Sequence, residues 1–202
     1  MGLIQGIADQ RPQSPLFCVR FLVMASAFAR WIGQKEFDAL PPQERSLLIA
    51  AFFADQEKVR EHGFNRGFWV EKFLASVGLG AGYAWCAAFV YHVLTAAKYP
   101  VSSLPAKRKA AAVMHWHRWA AENDLLTDEP RRGDLFLWLN GDGTGHIGFV
   151  SKPFVKEFQT IEGNSNKAGS REGDGVYRNT RRISAKHFSF ISFHTLAARL
   201  KD

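Results

Sequence analysis

Residues 133–165 read GDLFLWLNGDGTGHIGFVSKPFVKEFQTIEGNS. Short runs of Leu, Phe, Ile, Val and Trp are separated by Gly, Asn, Asp and Pro, the pattern of strands joined by tight turns. The spacing predicts strands over 134–139, 146–151 and 158–162, with two more over 175–179 and 188–193. The sequence ahead of Gly133 has a different rhythm. Ser14-Pro15 opens a helix that runs to Trp31, with Gly33 as its stop, and Pro41-Pro42 opens a second that reaches Glu61. Three more are predicted over 68–77, 87–97 and 106–122, the first of them closed by Gly78. Helices first and strands afterward predict an α+β domain with an antiparallel sheet.

Composition narrows the classes. Of 202 residues, 47% are hydrophobic and 22% charged, which excludes disorder and collagen-like repeats, and 17 Phe with 6 Trp suffice for a sizeable core. No uncharged apolar run approaches the roughly 18 residues of a membrane span. The net charge is +7, carried mostly by residues 101–202 with 16 basic and 11 acidic side chains, and favours a polyanionic partner. Ala27-Phe28-Ala29 has the small-x-small form of a signal cleavage site, yet Arg20 interrupts the apolar stretch before it, so an internal helix is expected. Two cysteines are too few for a disulfide framework or a four-Cys zinc site. Cys18, within an apolar run, reads as a buried inert thiol.

Cys86 is different. It follows the Gly-rich stretch Gly78-Leu79-Gly80-Ala81-Gly82 and begins a helix, where unpaired amides and the positive end of the dipole favour a thiolate and can hold an oxyanion. By position alone, a small buried residue packing a helix start fits equally well. Among seven histidines, His146 stands out, because Gly141-Asp142-Gly143-Thr144-Gly145 leads straight through it into a strand, and Gly145 and Gly148 leave room beside it. His115 and His117 flank Trp116 and do not form a helical metal pair. His92 is six positions from Cys86 on its helix and is a poor partner. A base needs a third group to orient it, and Glu162, on a strand with Thr160 and Asn164 on the same face, offers one.

Four motifs occur in order: Trp85-Cys86-Ala87-Ala88-Phe89-Val90, Pro130-Arg131-Arg132-Gly133-Asp134-Leu135, Gly145-His146-Ile147-Gly148-Phe149-Val150 and Ile161-Glu162-Gly163-Asn164. Together they resemble the CHAP family of cysteine- and histidine-dependent amidohydrolases and peptidases, over residues 66–194. The resemblance implies a papain-like fold of the NlpC/P60 group, with residues 1–65 as a helical N-terminal extension and 66–202 as the catalytic domain. It implies Cys86 as nucleophile, His146 as base, Glu162 as the group that orients the imidazole and Asn164 as a fourth polar member. Asp134 is implied to be structural. Tyr83 and Trp85 are the expected substrate contacts. Trp85 stands where many CHAP domains of phage origin have Gln, which leaves the usual oxyanion contribution of that position open. Some family members carry an acidic calcium loop before the Cys. Residues 66–85 hold a single carboxylate, Glu71, and Asp142, Glu172 and Asp174 fit no calcium-loop spacing, so no metal or organic cofactor is expected.

The implied substrate is peptidoglycan, cut at the muramoyl–L-alanine amide or within the stem peptide or crossbridge. Arg131-Arg132, Lys107-Arg108-Lys109 and the run Arg178 to Arg182 are candidate wall contacts, although a solvated basic face explains each as well. The expected place of action is the bacterial wall or periplasm, reached by lysis or through a secretion machine. A role as an antibacterial toxin would imply an immunity protein. Neither nucleic-acid binding nor membrane insertion is expected. The alternatives are a papain-like protease or acyltransferase acting on another amide or thioester, and a non-catalytic wall-binding module.

Overall fold

Pro41 and Pro42 place a proline at the first helical position, where the missing N–H is no loss, and the helix Pro42–Ala51 starts there. The computed structural model describes residues 34–185 and 187–200. Cys18, the Ala27-Phe28-Ala29 triplet and the helix expected over 14–31 lie outside the described residues. A short helix α1, Gln34–Ala39, which the sequence pattern did not indicate, is the described part of a first unit that ends at Ala39.

The second unit spans Leu40–Asp202 and contains α2 (Pro42–Ala51), α3 (Phe68–Ser76), α4 (Cys86–Ala96), α5 (Val113–Glu122) and α6 (Phe193–Arg199). Residues 40–65, expected in the N-terminal extension, pack as part of this unit. Helix α2 lies against α4 and α6, and the first compact unit ends at Ala39. The helix expected to reach Glu61 also stops early. It widens into a π turn at Phe52–Gln56, and Lys58 takes a left-handed φ of 46°. The chain then leaves helical geometry because Val59 and Arg60 pair with the edge of the sheet around Gly175 and Val176.

Among the described residues, six antiparallel strands form one sheet in the order β1-β6-β2-β3-β4-β5. They are β1 (Leu126–Thr127), β2 (Leu135–Leu139), β3 (Gly145–Pro153), β4 (Glu157–Ser165), β5 (Gly175–Arg182) and β6 (Ser189–Ile191). The α+β class is as the sequence predicts. Hairpin β2–β3 aligns Trp138 with His146 and Phe136 with Gly148. Phe136, Trp138, Val150, Phe158 and Phe190 gather into one aromatic-rich cluster, with Phe188 packed against it. Helix α4 is buried along nearly its whole length and packs on β3 and β4. That approach requires glycine at position 163. A Cβ there would stand 2.7 Å from Phe89 and 2.8 Å from the ring of Trp85, closer than real side chains come. The start of α4, and Cys86 with it, is thereby seated against β4.

Two differences from the expected elements have local causes. The helix predicted from 106 begins at Val113, after a 3-10 turn at Lys109–Ala111, because buried Trp116 donates its Nε1 to the Ala110 carbonyl at 2.9 Å and holds that turn open. The strand predicted to reach Phe193 ends at Ile191, because Ser192 caps α6 by accepting from the Thr195 amide. Asp134 is fully buried and accepts from the Arg131 amide at 2.7 Å and the Phe193 amide at 2.8 Å. It ties the turn before β2 to the start of α6, a structural role.

Candidate active site

Cys86 is the first residue of α4, and it is a free thiol, 5% exposed. The Phe89 amide makes the first bond of that helix, to the Trp85 carbonyl at 2.8 Å, so the amides ahead of it have no intrahelical partners. Those donors and the thiol share the positive end of an eleven-residue helix.

His146 enters β3 one residue after Gly145 and is wholly buried. Its ring lies 4.9 Å from that of Trp138, and its Nε2 meets Glu162 Oε2 at 3.0 Å, neither side chain having any exposure. A carboxylate accepts only, so Nε2 is the donor and Nδ1 is the nitrogen left to act as base. Among the described residues Nδ1 has no hydrogen-bond partner of ordinary geometry. Burial opposes protonation of His146, but hydrogen bonding and charge from Cys86 and Glu162 overcome it and raise the imidazole to about 9. No hydrogen bond closes between the Cys86 thiol and Nδ1. Such contacts commonly tighten only when substrate is bound.

Glu162 is the hub of the site. Its Oε1 accepts from Thr160 Oγ1 at 2.5 Å and Arg181 Nε at 2.8 Å, and its Oε2 from Ser165 Oγ at 3.0 Å, His146 Nε2 and Arg181 Nη2. Burial alone would neutralise it. Its hydrogen bonds and charge contacts with His146 and Arg181 instead hold the carboxyl well below the ordinary carboxylate range.

Asn164 does not share a row with Thr160 and Glu162 as expected. The β4–β5 register shifts between Glu162 and Ser165, and Asn164 takes a left-handed φ of 55°. Alternation is interrupted there, and Ser165 takes the place beside Glu162. Asn164 donates Nδ2 to the Arg171 carbonyl at 3.1 Å, and its buried Oδ1 has no partner among the described residues. It lines an adjoining cleft of about 700 Å³, together with Glu61, Tyr83, Lys167, Asp174 and Tyr177. Tyr83 is 56% exposed there.

Trp85, the other expected contact, presents no surface to that cleft. It is fully buried, stacks on Phe73 at 5.7 Å and donates Nε1 to Glu61 Oε1 at 2.8 Å. Its bulk and its bond to Glu61 fix the residue before Cys86, and Glu61 was missed because it stood at the end of a predicted helix. Several candidate wall contacts are likewise engaged within the fold: Arg132 on Glu44 at 3.0 Å, Arg178 on Asp55 at 2.6 Å, Arg108 on the Gly78 carbonyl at 2.6 Å and Arg181 on Glu162. His92 is a core residue. It packs between Phe53 and Phe73, and burial, with Lys72 adding to it, lowers its pKa to about 4.

Comparison with known families gives a match. The model of the CHAP domain matches residues 78–164. Residues 78–164 carry a CHAP domain. CHAP domains are typically hydrolases, amidases and peptidases associated with peptidoglycan. The matched span lies inside the 66–194 over which the resemblance was read, and contains Cys86, His146, Glu162 and Asn164. No curated protein and no solved structure matches the chain.

Proposed function

We propose that the chain is a peptidoglycan hydrolase that cuts an amide bond, as a muramoyl–L-alanine amidase or a stem-peptide or crossbridge endopeptidase, by a Cys-His-Glu thiol mechanism. The observation that carries the reading is the buried Nε2–Glu162 bond, which leaves Nδ1 of His146 for the thiol at the start of α4. His146 Nδ1 takes the Cys86 proton, and Glu162 steadies the imidazolium that results. The thiolate attacks the amide carbonyl, forming a tetrahedral intermediate whose oxyanion meets the unpaired amides of the helix start. The imidazolium protonates the leaving amine as the C–N bond breaks. Water, deprotonated by His146, then hydrolyses the thioester and restores the thiol. Asn164 and Tyr83 contact the substrate from the cleft. The papain-like, NlpC/P60 character of the fold and the helical nature of the N-terminal region belong to the same reading. So does action at the bacterial wall or periplasm, by lysis or by secretion as an antibacterial toxin held in check by an immunity protein.

The test is digestion of purified peptidoglycan of several wall chemistries, with released fragments identified by mass spectrometry. New amine and carboxyl termini are expected, and they name the bond cut. Intact sacculi in every case would move the assignment to another amide or to wall binding without turnover.

The leaving amine needs a protonated imidazole. Because the His146 pKa is raised, the protonated ring persists through neutral pH and is lost as pH rises through about 9. The pH profile of kcat/KM is therefore expected to hold through pH 8 and to fall on an alkaline limb near 9. An alkaline limb near 6.5, the unperturbed imidazole value, would show that Cys86 and Glu162 do not act on the ring in solution.

A further inference from the structure

Arg181 belongs to β5, the edge strand beside β4, and lies opposite Phe158 in the register. Along that strand Tyr177, Asn179 and Arg181 turn inward while Arg178, Thr180 and Arg182 face out. Every nitrogen of its guanidinium is engaged. Nε and Nη2 take the two oxygens of Glu162, and Nη1 donates to the Gly169 carbonyl at 2.8 Å. The guanidinium carbon lies 5.0 Å from the ring centre of Trp138, the same ring that packs on His146. Its side chain is 12% exposed, so solvent screens the pair little.

Gly169 is shaped for this contact. Its φ is 73°, and a Cβ there would stand 2.8 Å from Arg181 Nη1. It belongs to the β4–β5 loop, whose Asn166, Lys167, Ala168, Glu172 and Asp174 line the cleft. One guanidinium thus spans the buried carboxylate and the loop that forms one wall of the cleft.

We propose that Arg181 is a positioning residue that keeps Glu162 ionised and in register with His146, and couples the cleft loop at Gly169 to that carboxylate. The fork explains why arginine stands here: two parallel bonds fix the carboxylate plane, and a third fixes the loop, which a lysine ammonium cannot do together. Among the described residues, the charged and titratable groups facing the Glu162–His146 pair are Arg181 from β5 and the thiol of Cys86 from α4; Thr160 and Ser165 contribute hydroxyls. Arg181 is the counter-charge that offsets a carboxylate with no exposure. Without it, protonation of Glu162 becomes easier, so on acidification the carboxylate that steadies the thiolate–imidazolium pair is lost at a higher pH.

The inference rests on Cys86 and His146 acting as the proposed pair, and its test needs no peptidoglycan. The rate of Cys86 alkylation by iodoacetamide is measured against pH for the wild type, Arg181→Gln and Arg181→Lys, with melting temperature recorded for each. In R181Q the acid limb is expected to move up by about 1–2 pH units, and in R181K, which keeps the charge but not the fork, by part of that. A structural role alone would lower the melting temperature and leave the limb in place. If R181Q does not fold, R181K decides, and a limb at the wild-type position in either folded variant overturns the proposal. A shifted limb in an enzyme that leaves sacculi intact would uphold the role of Arg181 and discard peptidoglycan as the substrate.

Discussion

Replacing Cys86 with Ala is expected to abolish release of wall fragments, a loss of about 10⁴-fold or more in kcat, while the chain folds as before. The size of the effect follows from the chemistry, because no other group at the start of α4 can form the acyl intermediate. The mildness of the structural effect follows from the surroundings. Cys86 is a small side chain at a helix start already seated by Gly163 and by the buried ring of Trp85. Removing one sulfur leaves a small void and costs about 1 kcal/mol. Calorimetry is expected to give a melting temperature within a few degrees of the wild type, and mass spectrometry of treated sacculi no new termini. His146 would respond too. Cys86 and Glu162 both raise its pKa, so the imidazole of C86A is expected to titrate below the wild-type value of about 9 in an NMR titration. A C86A protein that still releases fragments would remove Cys86 from the mechanism and leave the CHAP match without its thiol.

The parts of the site that sequence made legible are those whose geometry is local. Cys86 is marked by the glycines before it and the apolar spacing after it. His146 and Glu162 lie on adjacent strands of a hairpin, so their contact follows from two short patterns and the tight turn between them. Arg181 was hidden by its neighbours. In the run Arg178-Asn179-Thr180-Arg181-Arg182 every cation looks solvent-facing, and only the pairing of β5 with β4 turns residue 181 inward. Asn164 was misplaced for the complementary reason. Strict alternation put it beside Glu162, and one bulge reassigns that place to Ser165. Trp85 looked like a cleft residue because it adjoins Cys86. Its burial is decided by Phe73 and Glu61, which come from elsewhere in the chain. The early end of the helix at Gln56 has the same origin, since strand pairing by Val59 and Arg60 overrides a continuous helical pattern.

Glu162→Gln is expected to do what Cys86→Ala does not, lowering both turnover and stability. The wild-type carboxylate receives donors from Thr160, Ser165, His146 and twice from Arg181. An amide offers one accepting oxygen, and while its NH₂ can donate to the Thr160 or Ser165 hydroxyl, it has no acceptor to offer the N–H groups of Arg181 and His146 that face it. Arg181 would then be a largely buried cation without its counter-charge. Breaking such a pair from one side costs about 3–5 kcal/mol, so a fall of several degrees or more in melting temperature is expected. Turnover should fall by about 10²–10⁴-fold, since the group that fixes the imidazole tautomer is lost while the thiol and the helix amides remain. The alkaline limb should also move below its wild-type position near 9, because Glu162 no longer favours the imidazolium. Adding Arg181→Met to E162Q separates the two effects. Removing the stranded cation is expected to recover part of the stability and none of the turnover, because the energetic penalty belongs to the Arg181–Glu162 pair and the catalytic one to the Glu162–His146 bond. Full activity in the double variant would place the orienting role elsewhere, and full stability in E162Q alone would mean that the pair is more solvated than its burial implies.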